Sequence, residues 1–335
     1  MVSLKKTLFK KELSIEDLSY ISELIDSNIS LQDSFELLKS NKNKTIFEKI
    51  IIDLKQGKMI EEAISGYLPK QINDYIKPLL KSISFSSALA LSLEFNQKHS
   101  DSKNRIINEI AYPCLLMFVS ITVLYLFDIY GMDTIFSMLN SFSSNLSMYQ
   151  NLRYVFRGII VGIYYGILLG TLALIILMQP KRISLLYIFL SKHFPNSLII
   201  TYYSEEFVSL LLTCIDKGCK TKQALQILKD MKTKPIISFL AFHMDESLLA
   251  GESLKDAAKS KYYDFSLSRF IKIANYTNDF TNMLSSYVGL ARERISKTIK
   301  KYTLTIQITT YTFIGIIVIF IYQILFVPMQ ALANY

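Results

Sequence analysis

The sequence of 335 residues is poor in the residue types that build covalent and catalytic sites. It has no tryptophan and only three cysteines, Cys114, Cys214 and Cys219. Three scattered cysteines do not make a disulfide framework, and the step from Cys214 to Cys219 does not fit the Cys-x-x-Cys spacing of redox and zinc sites. We therefore expect ordinary packing cysteines. The three histidines are remote from one another in sequence, and we expect structural or surface roles for His99, His193 and His243.

Catalytic signature motifs are also missing. A phosphate-binding loop needs Gly-Lys followed by Ser or Thr, but Gly57-Lys58 is followed by Met59, and Gly218 is followed by Cys219. Neither His-Glu-x-x-His nor Gly-x-Ser-x-Gly occurs. We expect no enzymatic activity, no cofactor and no metal, so that any ATP hydrolysis would have to come from a partner.

Basic residues are absent from one long stretch of the chain. No Lys or Arg lies between Arg105 and Arg153, whereas 16 lie from Lys5 to Arg105 and 19 from Lys181 to Lys301. The positive-inside rule places the two basic regions in the cytoplasm and the stretch between them outside. The N-terminus is basic but lacks the apolar run of a signal peptide, so we expect it to be cytoplasmic and uncleaved. Arg153 and Arg157 argue against this topology, because they are basic residues at the predicted outer end of the central segment.

Long apolar runs are what the sequence does have. The chain is 51% apolar with a mean hydropathy of +0.29. The excess comes from three uncharged segments, at about 110–127, 158–178 and 304–327. At about 1.5 Å per residue the central segment spans roughly 31 Å, which matches the hydrocarbon core of a bilayer. We expect three transmembrane helices.

The fold class that follows is an all-α integral membrane protein with three transmembrane helices and two homologous cytoplasmic helical-bundle repeats. Apolar residues recur at helical spacing, and no period-2 strand of useful length is present. The predicted boundaries are 1–108 for the first repeat, 109–130 for transmembrane helix 1, 131–153 for an extracytoplasmic loop, 154–178 for transmembrane helix 2, 179–301 for the second repeat, 302–328 for transmembrane helix 3, and 329–335 for an extracytoplasmic tail.

The repeat is visible in two pairs of segments. Leu24–Lys39 aligns with Cys214–Lys229 without gaps, and Gly57–Ile64 aligns with Gly251–Ala258 after a four-residue insertion. In the first pair Asn28 meets Gly218, and both residue types tolerate the left-handed conformation that ends a helix. We predict repeat turns at the ends of helices, at Asn28, Gly57, Gly218 and Gly251.

This order of elements resembles the F-type platform proteins of type II secretion and type IV pilus machines. The first span opens with Ala111-Tyr112-Pro113, and the first repeat follows that family's pattern at Asn28, Leu31, Phe35, Gly57 and Ala63. The C-terminal run IQITTYTFIGIIVIFIYQILFVPMQAL resembles the ending of the platform proteins of Gram-positive competence pili. The resemblance covers nearly the whole chain.

The resemblance implies a multi-pass protein of the bacterial cytoplasmic (inner) membrane with its N-terminus inside and its C-terminus outside. Such a platform would contact a hexameric assembly ATPase, guide major and minor pilins into a filament, form a homo-oligomer and support DNA uptake. Alternatives are the platform of a type II secretion system or of an adhesive type IV pilus. A transporter is a more distant alternative, because no span carries an ionisable group at mid-membrane.

A basic cluster is the first candidate contact surface. Residues 179–301 have a net charge of +8 against +2 for residues 1–105, and five basic residues precede the last span, Arg292, Arg294, Lys297, Lys300 and Lys301. They either bind anionic lipid, at about 1 kcal/mol each near the surface, or dock an acidic ATPase surface. We expect no direct nucleic-acid binding, because no aromatic residues interleave with the basic ones.

A glycine ridge is the second candidate. Glycines recur every four residues in the central segment, at Gly158, Gly162, Gly166 and Gly170. Such a ridge lets a neighbouring backbone approach closely. With Pro113 and Pro328 of the outer spans, these glycines either pack this chain's own helices together or contact a second protomer or a pilin helix.

Overall fold

The computed structural model describes residues 12–40, 43–81, 83–131, 134, 137, 154, 157–158, 161–162, 164–166, 169–170, 172, 179–231, 233–277 and 279–333. This part of the chain is helical and contains no strand, which confirms the all-α prediction. The chain divides into two compact units. Unit 1 comprises residues 1–102 and 180–293, and unit 2 comprises residues 103–179 and 294–335.

The first half of unit 1 consists of five short helices and the start of a long one. Their bounds are α1 Ile15–Asp26, α2 Leu31–Leu37, α3 Lys44–Lys55, α4 Ile60–Ser65, α5 Lys70–Leu80 and α6 Phe85–Leu126. Helix α1 begins with a capping box, because the Ser14 hydroxyl accepts from the Asp17 N–H and the Asp17 carboxylate accepts from the Ser14 N–H.

The second half of unit 1 has one additional helix at its start. The helices are α7 Pro180–His193, α8 Leu198–Asp216, α9 Thr221–Lys229, α10 Pro235–Leu249, α11 Leu254–Ala257, α12 Leu267–Thr277 and the start of the long helix α13 Phe280–Ala333, which continues into unit 2. From α8 onward the order matches α1 to α6: helix, short helix, longer helix, very short helix, helix, and a long final helix.

The predicted turns share one backbone conformation. Among the described residues, positive φ occurs at Asn28 (63°), Gly57 (82°), Gly218 (86°) and Gly251 (87°). At each turn two N–H groups reach back to the carbonyls of the preceding helix. Asn28 and Ile29 donate to Ile25 and Leu24 in this way. The same pair of bonds recurs after Gly57, Gly218 and Gly251, which makes all four Schellman motifs.

The left-handed position of the first turn in each half is Asn28 in one and Gly218 in the other. The glycine allows a stability prediction. Gly218→Ala should lower the free energy of unfolding by about 1–2 kcal/mol, because a side chain disfavours the left-handed conformation. Gly289→Ala is the matched control. That glycine lies inside α13 with nothing within 4 Å of an added Cβ, so the change should stabilise by about 0.5–1 kcal/mol. Chemical unfolding followed by circular dichroism measures both; equal effects would contradict the helix-end role of Gly218.

An apolar core fills unit 1. Every bundle helix contributes fully buried side chains to it, and the Phe35 and Phe47 rings stack with their centroids 5.3 Å apart. In the second half Phe207 packs against Tyr263 at 5.9 Å, and the Tyr263 hydroxyl donates to the Leu240 carbonyl. The buried hydroxyl is therefore satisfied rather than orphaned.

Unit 2 contains the apolar segments. Two helices of the described chain are long and apolar enough to cross a membrane, Ala111–Gly131 and Leu198–Asp216. The second is α8, a core helix of unit 1. Its most apolar stretch is 67% buried, so we assign it to the bundle. The first coincides with predicted transmembrane helix 1 and is 11% buried, as expected of a lipid-facing helix. It ends in a π-helical turn, Phe127–Gly131.

The other predicted spans are described in part. The predicted loop at 131–153 lies almost wholly outside the described residues, as does much of 154–178; its described positions from Tyr154 to Leu172 are helical. The predicted third span lies within the continuous helix α13, and the predicted tail at 329–335 continues this helix as far as Ala333. Three spans, the domain boundaries and the orientation of the termini stay predictions.

Candidate functional site: ion pairs of the helical unit and the apolar hairpin

The first residue of the predicted basic cluster has a partner inside unit 1. Arg292 Nε donates to Glu205 Oε1 at 2.7 Å, and its Nη2 donates to Ser209 Oγ at 3.1 Å. Glu205 lies on α8 with a side chain that is 3% exposed. The guanidinium thus compensates a buried carboxylate, which the sequence analysis did not anticipate. Arg292 consequently has a role in holding α13 against α8.

The other four basic residues of that cluster are exposed on α13. They follow Arg292 along the helix, and Ala291, Ile295 and Ile299 on the opposite side of the helix are buried. The exposed positions are Arg294, Lys297, Lys300 and Lys301. The structure therefore leaves these four as the part of the cluster that can meet lipid or protein.

A second ion pair involves the next residue of α8. Glu206 Oε1 binds the Lys234 ammonium and lies 3.2 Å from His99 Nδ1. The Lys234 Nζ is 5.5 Å from the centroid of the Tyr75 ring. Since His99 and Tyr75 belong to the first half of the sequence and Glu206 and Lys234 to the second, this cluster ties the halves of unit 1 together. Lys81 and Asp230 add a more exposed ion pair between the halves, at 2.8 Å.

The protonation of this cluster follows from its contacts. Burial by itself would raise the pKa of Glu206, but the hydrogen bond with His99 and the charge of Lys234 outweigh it and hold that pKa below its usual value. Burial would likewise lower the pKa of Lys234, but the charge of Glu206 raises it above the usual value. Both groups are therefore charged at neutral pH.

A cavity of about 210 Å³ opens beside Glu206 and Lys234. Its lining residues are His99, Ile183, Tyr202, Tyr203, Glu206, Thr233, Lys234, Pro235, Ile236 and Ile237. Burial raises the pKa of Tyr203 to about 12, so its hydroxyl is neutral. The carboxylate of the cavity is already paired with the ammonium, and the lining holds no cysteine or serine nucleophile. The arrangement is that of a structural ion pair with room for water.

The cysteines and the remaining histidines form no chemical site in the described chain. Cys214 and Cys219 are free and buried, and burial raises the pKa of both thiols, which suppresses their reactivity. Burial also lowers the pKa of His243, which keeps it neutral. Across the described residues no group of three or more His, Cys, Asp or Glu side chains could hold a metal ion. The expectation that the protein is not an enzyme stays a prediction.

The glycine ridge faces open space as far as the structure describes it. Gly158, Gly162, Gly166 and Gly170 are helical, and a Cβ added at any of them meets nothing within 4 Å. The described residues thus supply no helix that fills the ridge. Of the two prolines, Pro113 is buried within α6, and Pro328 lies within α13.

The first and central apolar segments contact one another within unit 2. Arg157 Nε lies 3.8 Å from Asp128 Oδ2, and the rings of Tyr125 and Tyr164 stack with centroids 6.2 Å apart. The residue numbers fall along one segment as they rise along the other, so the pair is antiparallel, as a hairpin requires. Asp128 is buried, and Arg157 partly neutralises it. Arg157, one of the two arginines that argue against the predicted topology, is therefore offset by the Asp128 carboxylate of the neighbouring segment.

A sequence signal for the buried ion pairs does exist. Glu205 and Glu206 are the only charges in α8 before Asp216. Two adjacent carboxylates on a helix this apolar point in different directions and must each find a cation when the helix is buried. The signal shows that partners are needed, but it does not identify Arg292 or Lys234.

Comparison with protein families gives a match in the second half of the chain. Residues 207–328 match the family model described as "Type II secretion system (T2SS), protein F". No curated protein matches the chain. The matched region starts within α8, includes the rest of the second half of unit 1, and extends through most of α13. Together with the exposed apolar helix Ala111–Gly131, it indicates a protein of the inner membrane. Residues 207–328 therefore match the type II secretion system protein F family, in agreement with the resemblance seen in the sequence.

Proposed function

We propose that this protein is the polytopic membrane platform of a type IV-like competence pilus, coupling a cytoplasmic assembly ATPase to the extraction and polymerisation of pilins and supporting DNA uptake. The observation that carries the proposal is the protein F domain at residues 207–328. The competence subtype rests on the resemblance of the C-terminal run. The platform of a type II secretion system or of an adhesive type IV pilus is the alternative for the same domain.

Two homologous cytoplasmic repeats are part of the proposal. Their support is the matching helix order of the two halves of unit 1 and the Schellman motifs that follow equivalent helices at Asn28 and Gly218, and at Gly57 and Gly251. Both repeats can lie on one side of the membrane only if the chain crosses it an even number of times between them. The central segment supplies the second crossing.

A platform without catalysis agrees with the chemistry of the described residues. Inside unit 1, Glu205 is paired with Arg292 and Glu206 with Lys234. The four basic residues of α13 that follow Arg292 are exposed, and an added Cβ at the ridge glycines meets nothing within 4 Å. Such surfaces bind partners. In this proposal the basic residues meet the ATPase or anionic lipid, and the ridge meets a pilin helix or a second protomer.

Charge reversal of the exposed basic residues tests the ATPase contact. The triple change Arg294→Glu, Lys297→Glu and Lys300→Glu should lower co-purification of the assembly ATPase with the full-length protein by about tenfold, because a docking surface of the wrong sign repels its partner. Arg292 is left unchanged, since its reversal would break the buried pair with Glu205.

The matched control changes the net charge equally on exposed lysines of the first half, with Lys44→Glu, Lys49→Glu and Lys70→Glu. This control should retain the ATPase. Equal co-purification of both variants would assign the α13 residues to lipid instead. Failure of the ATPase to co-purify with the unmodified protein under crosslinking would count against the platform role itself.

A further inference from the structure

Helix α7 has no counterpart in the first half of the described chain. It spans Pro180–His193 and begins two residues after Met178, where the predicted central span ends. Its sequence places apolar and basic residues on the same side of the helix, and its other side packs in unit 1.

The inner side of α7 is fixed. Tyr187 is 1% exposed, its hydroxyl donates to the Tyr262 carbonyl at 2.6 Å, and its ring meets that of Tyr203 edge to face at 5.5 Å. Ser191, one turn further on, is also buried. A helix held by a buried tyrosine with a satisfied hydroxyl cannot roll to hide its other side.

The outer side of α7 is apolar and open. Leu185 is 66% exposed and Phe189 is 57% exposed, and the exposed basic residues Arg182 and Lys192 lie at the two ends of this pair. At about 100° per residue these four positions fall within one stripe less than a quarter of a turn wide. Phe194, which directly follows the helix, is 60% exposed. We call Arg182, Leu185, Phe189 and Lys192 the α7 stripe.

The surrounding charges identify what the α7 stripe fits. No Asp or Glu occurs between Asp133 and Glu205, whereas Lys181, Arg182 and Lys192 all do. Aromatic and aliphatic side chains with basic flanks are the pattern of a helix that lies in the headgroup region of an anionic bilayer. A second copy fits less well, because a symmetric contact would bring like charges of both protomers together.

We propose that α7 is an interfacial helix whose stripe lies in the headgroup region of the anionic cytoplasmic leaflet and fixes unit 1 against the membrane. This inference rests on the proposed function in one respect, namely that residues 154–178 cross the bilayer. The helix would then start at the membrane boundary and run along it, with Leu185 and Phe189 inserted and the basic side chains on phosphate groups. Its role would be to hold the helical unit at a defined orientation.

Fluorescence quenching by spin-labelled lipids tests the inference on the full-length protein. The environment-sensitive dye NBD is attached to single cysteines in vesicles of phosphatidylcholine and phosphatidylglycerol. Only Cys114 needs replacing, by alanine, since Cys214 and Cys219 are buried and their thiols are unreactive. The test positions are Leu185→Cys and Phe189→Cys. Leu249→Cys, 69% exposed on α10, is the matched control, and Tyr165→Cys reports on the central span.

Dyes at Leu185 and Phe189 should be quenched by headgroup-level nitroxides about threefold more than the dye at Leu249, and less when phosphatidylglycerol is omitted. Tyr165 should be quenched by nitroxides deep in the acyl chains.

The inference would be overturned if quenching at Leu185 and Phe189 were no stronger than at Leu249, or if it were equally strong in vesicles with and without phosphatidylglycerol. If Tyr165 is still quenched, the proposed function survives that failure. Blue-shifted emission without quenching would also overturn it, in favour of a second copy. Loss of quenching at Tyr165 would overturn the proposed topology as well.

Discussion

Glu206→Gln should lower the free energy of unfolding of the protein by about 3–5 kcal/mol, because it leaves the Lys234 ammonium buried without a counterion. The Lys234 side chain is 14% exposed and that of Glu206 13%, so water replaces little of the lost interaction. His99 cannot take over the role, since an imidazole side chain supplies no negative charge. The measurement is chemical unfolding of the detergent-solubilised full-length protein, followed by far-ultraviolet circular dichroism.

The same substitution at Glu36 is the control. Its pair with Lys39 is longer, at 3.9 Å, and the Glu36 side chain is 61% exposed, so Glu36→Gln should cost less than about 0.5 kcal/mol. The double change Glu206→Leu with Lys234→Met removes both charges and should lie within about 1 kcal/mol of the unmodified protein. A double variant as unstable as the single one would show that the loss comes from packing rather than from the unpaired charge.

The pair also sets an expected pH dependence. The pKa of Glu206 is lowered in the folded state, so its contribution is fully present above the ordinary value of 4.5 and is lost as the pH falls through the lowered value. The pKa of Lys234 is raised, so its contribution is fully present below 10.5 and is lost as the pH rises through the raised value. Glu206→Gln should therefore flatten the acid side of the stability profile, a change that a purely steric effect would not produce.

Local features of this protein were predictable from sequence because their causes are local. The helix ends at Gly57, Gly218 and Gly251 follow from the backbone freedom of glycine, and the one at Asn28 follows from its alignment with Gly218. The all-helical character of the described residues follows from the periodicity of the apolar residues, and the first apolar helix follows from the length of its apolar run. None of these depends on which parts of the chain meet in space.

The partners of the buried charges were not predictable, because they depend on tertiary contacts. Arg292 was assigned to an outer surface from its position beside a run of basic residues, whereas the structure places its guanidinium on Glu205. The pairing of Arg157 with Asp128 likewise depends on how two apolar segments align. The α7 stripe was missed for a different reason: its apolar residues are also those expected of a packed helix, and only their exposure distinguishes the two.

A transporter, the alternative from a different functional class, would need different residues in the apolar segments than a platform does. A transporter would need ionisable groups at mid-membrane to bind or relay its cargo. In the described part of unit 2 the buried carboxylate is Asp128, which lies at the end of the first apolar helix and is partnered by Arg157. Uptake of a labelled substrate by the purified protein in liposomes would favour the transporter over the platform.

Deletion of the gene tests the platform role most directly, and the effect should be all or none. A platform that couples the ATPase to pilin extraction has no substitute in the machine, so the deletion strain should have no surface filaments and no DNA uptake. Pilin and ATPase should remain at normal levels by immunoblotting, and a plasmid copy of the gene should restore the filaments. Electron microscopy of the deletion strain is the decisive measurement. Absence of filaments with pilin still present is the predicted result, and filaments of normal number and length would contradict the proposed function.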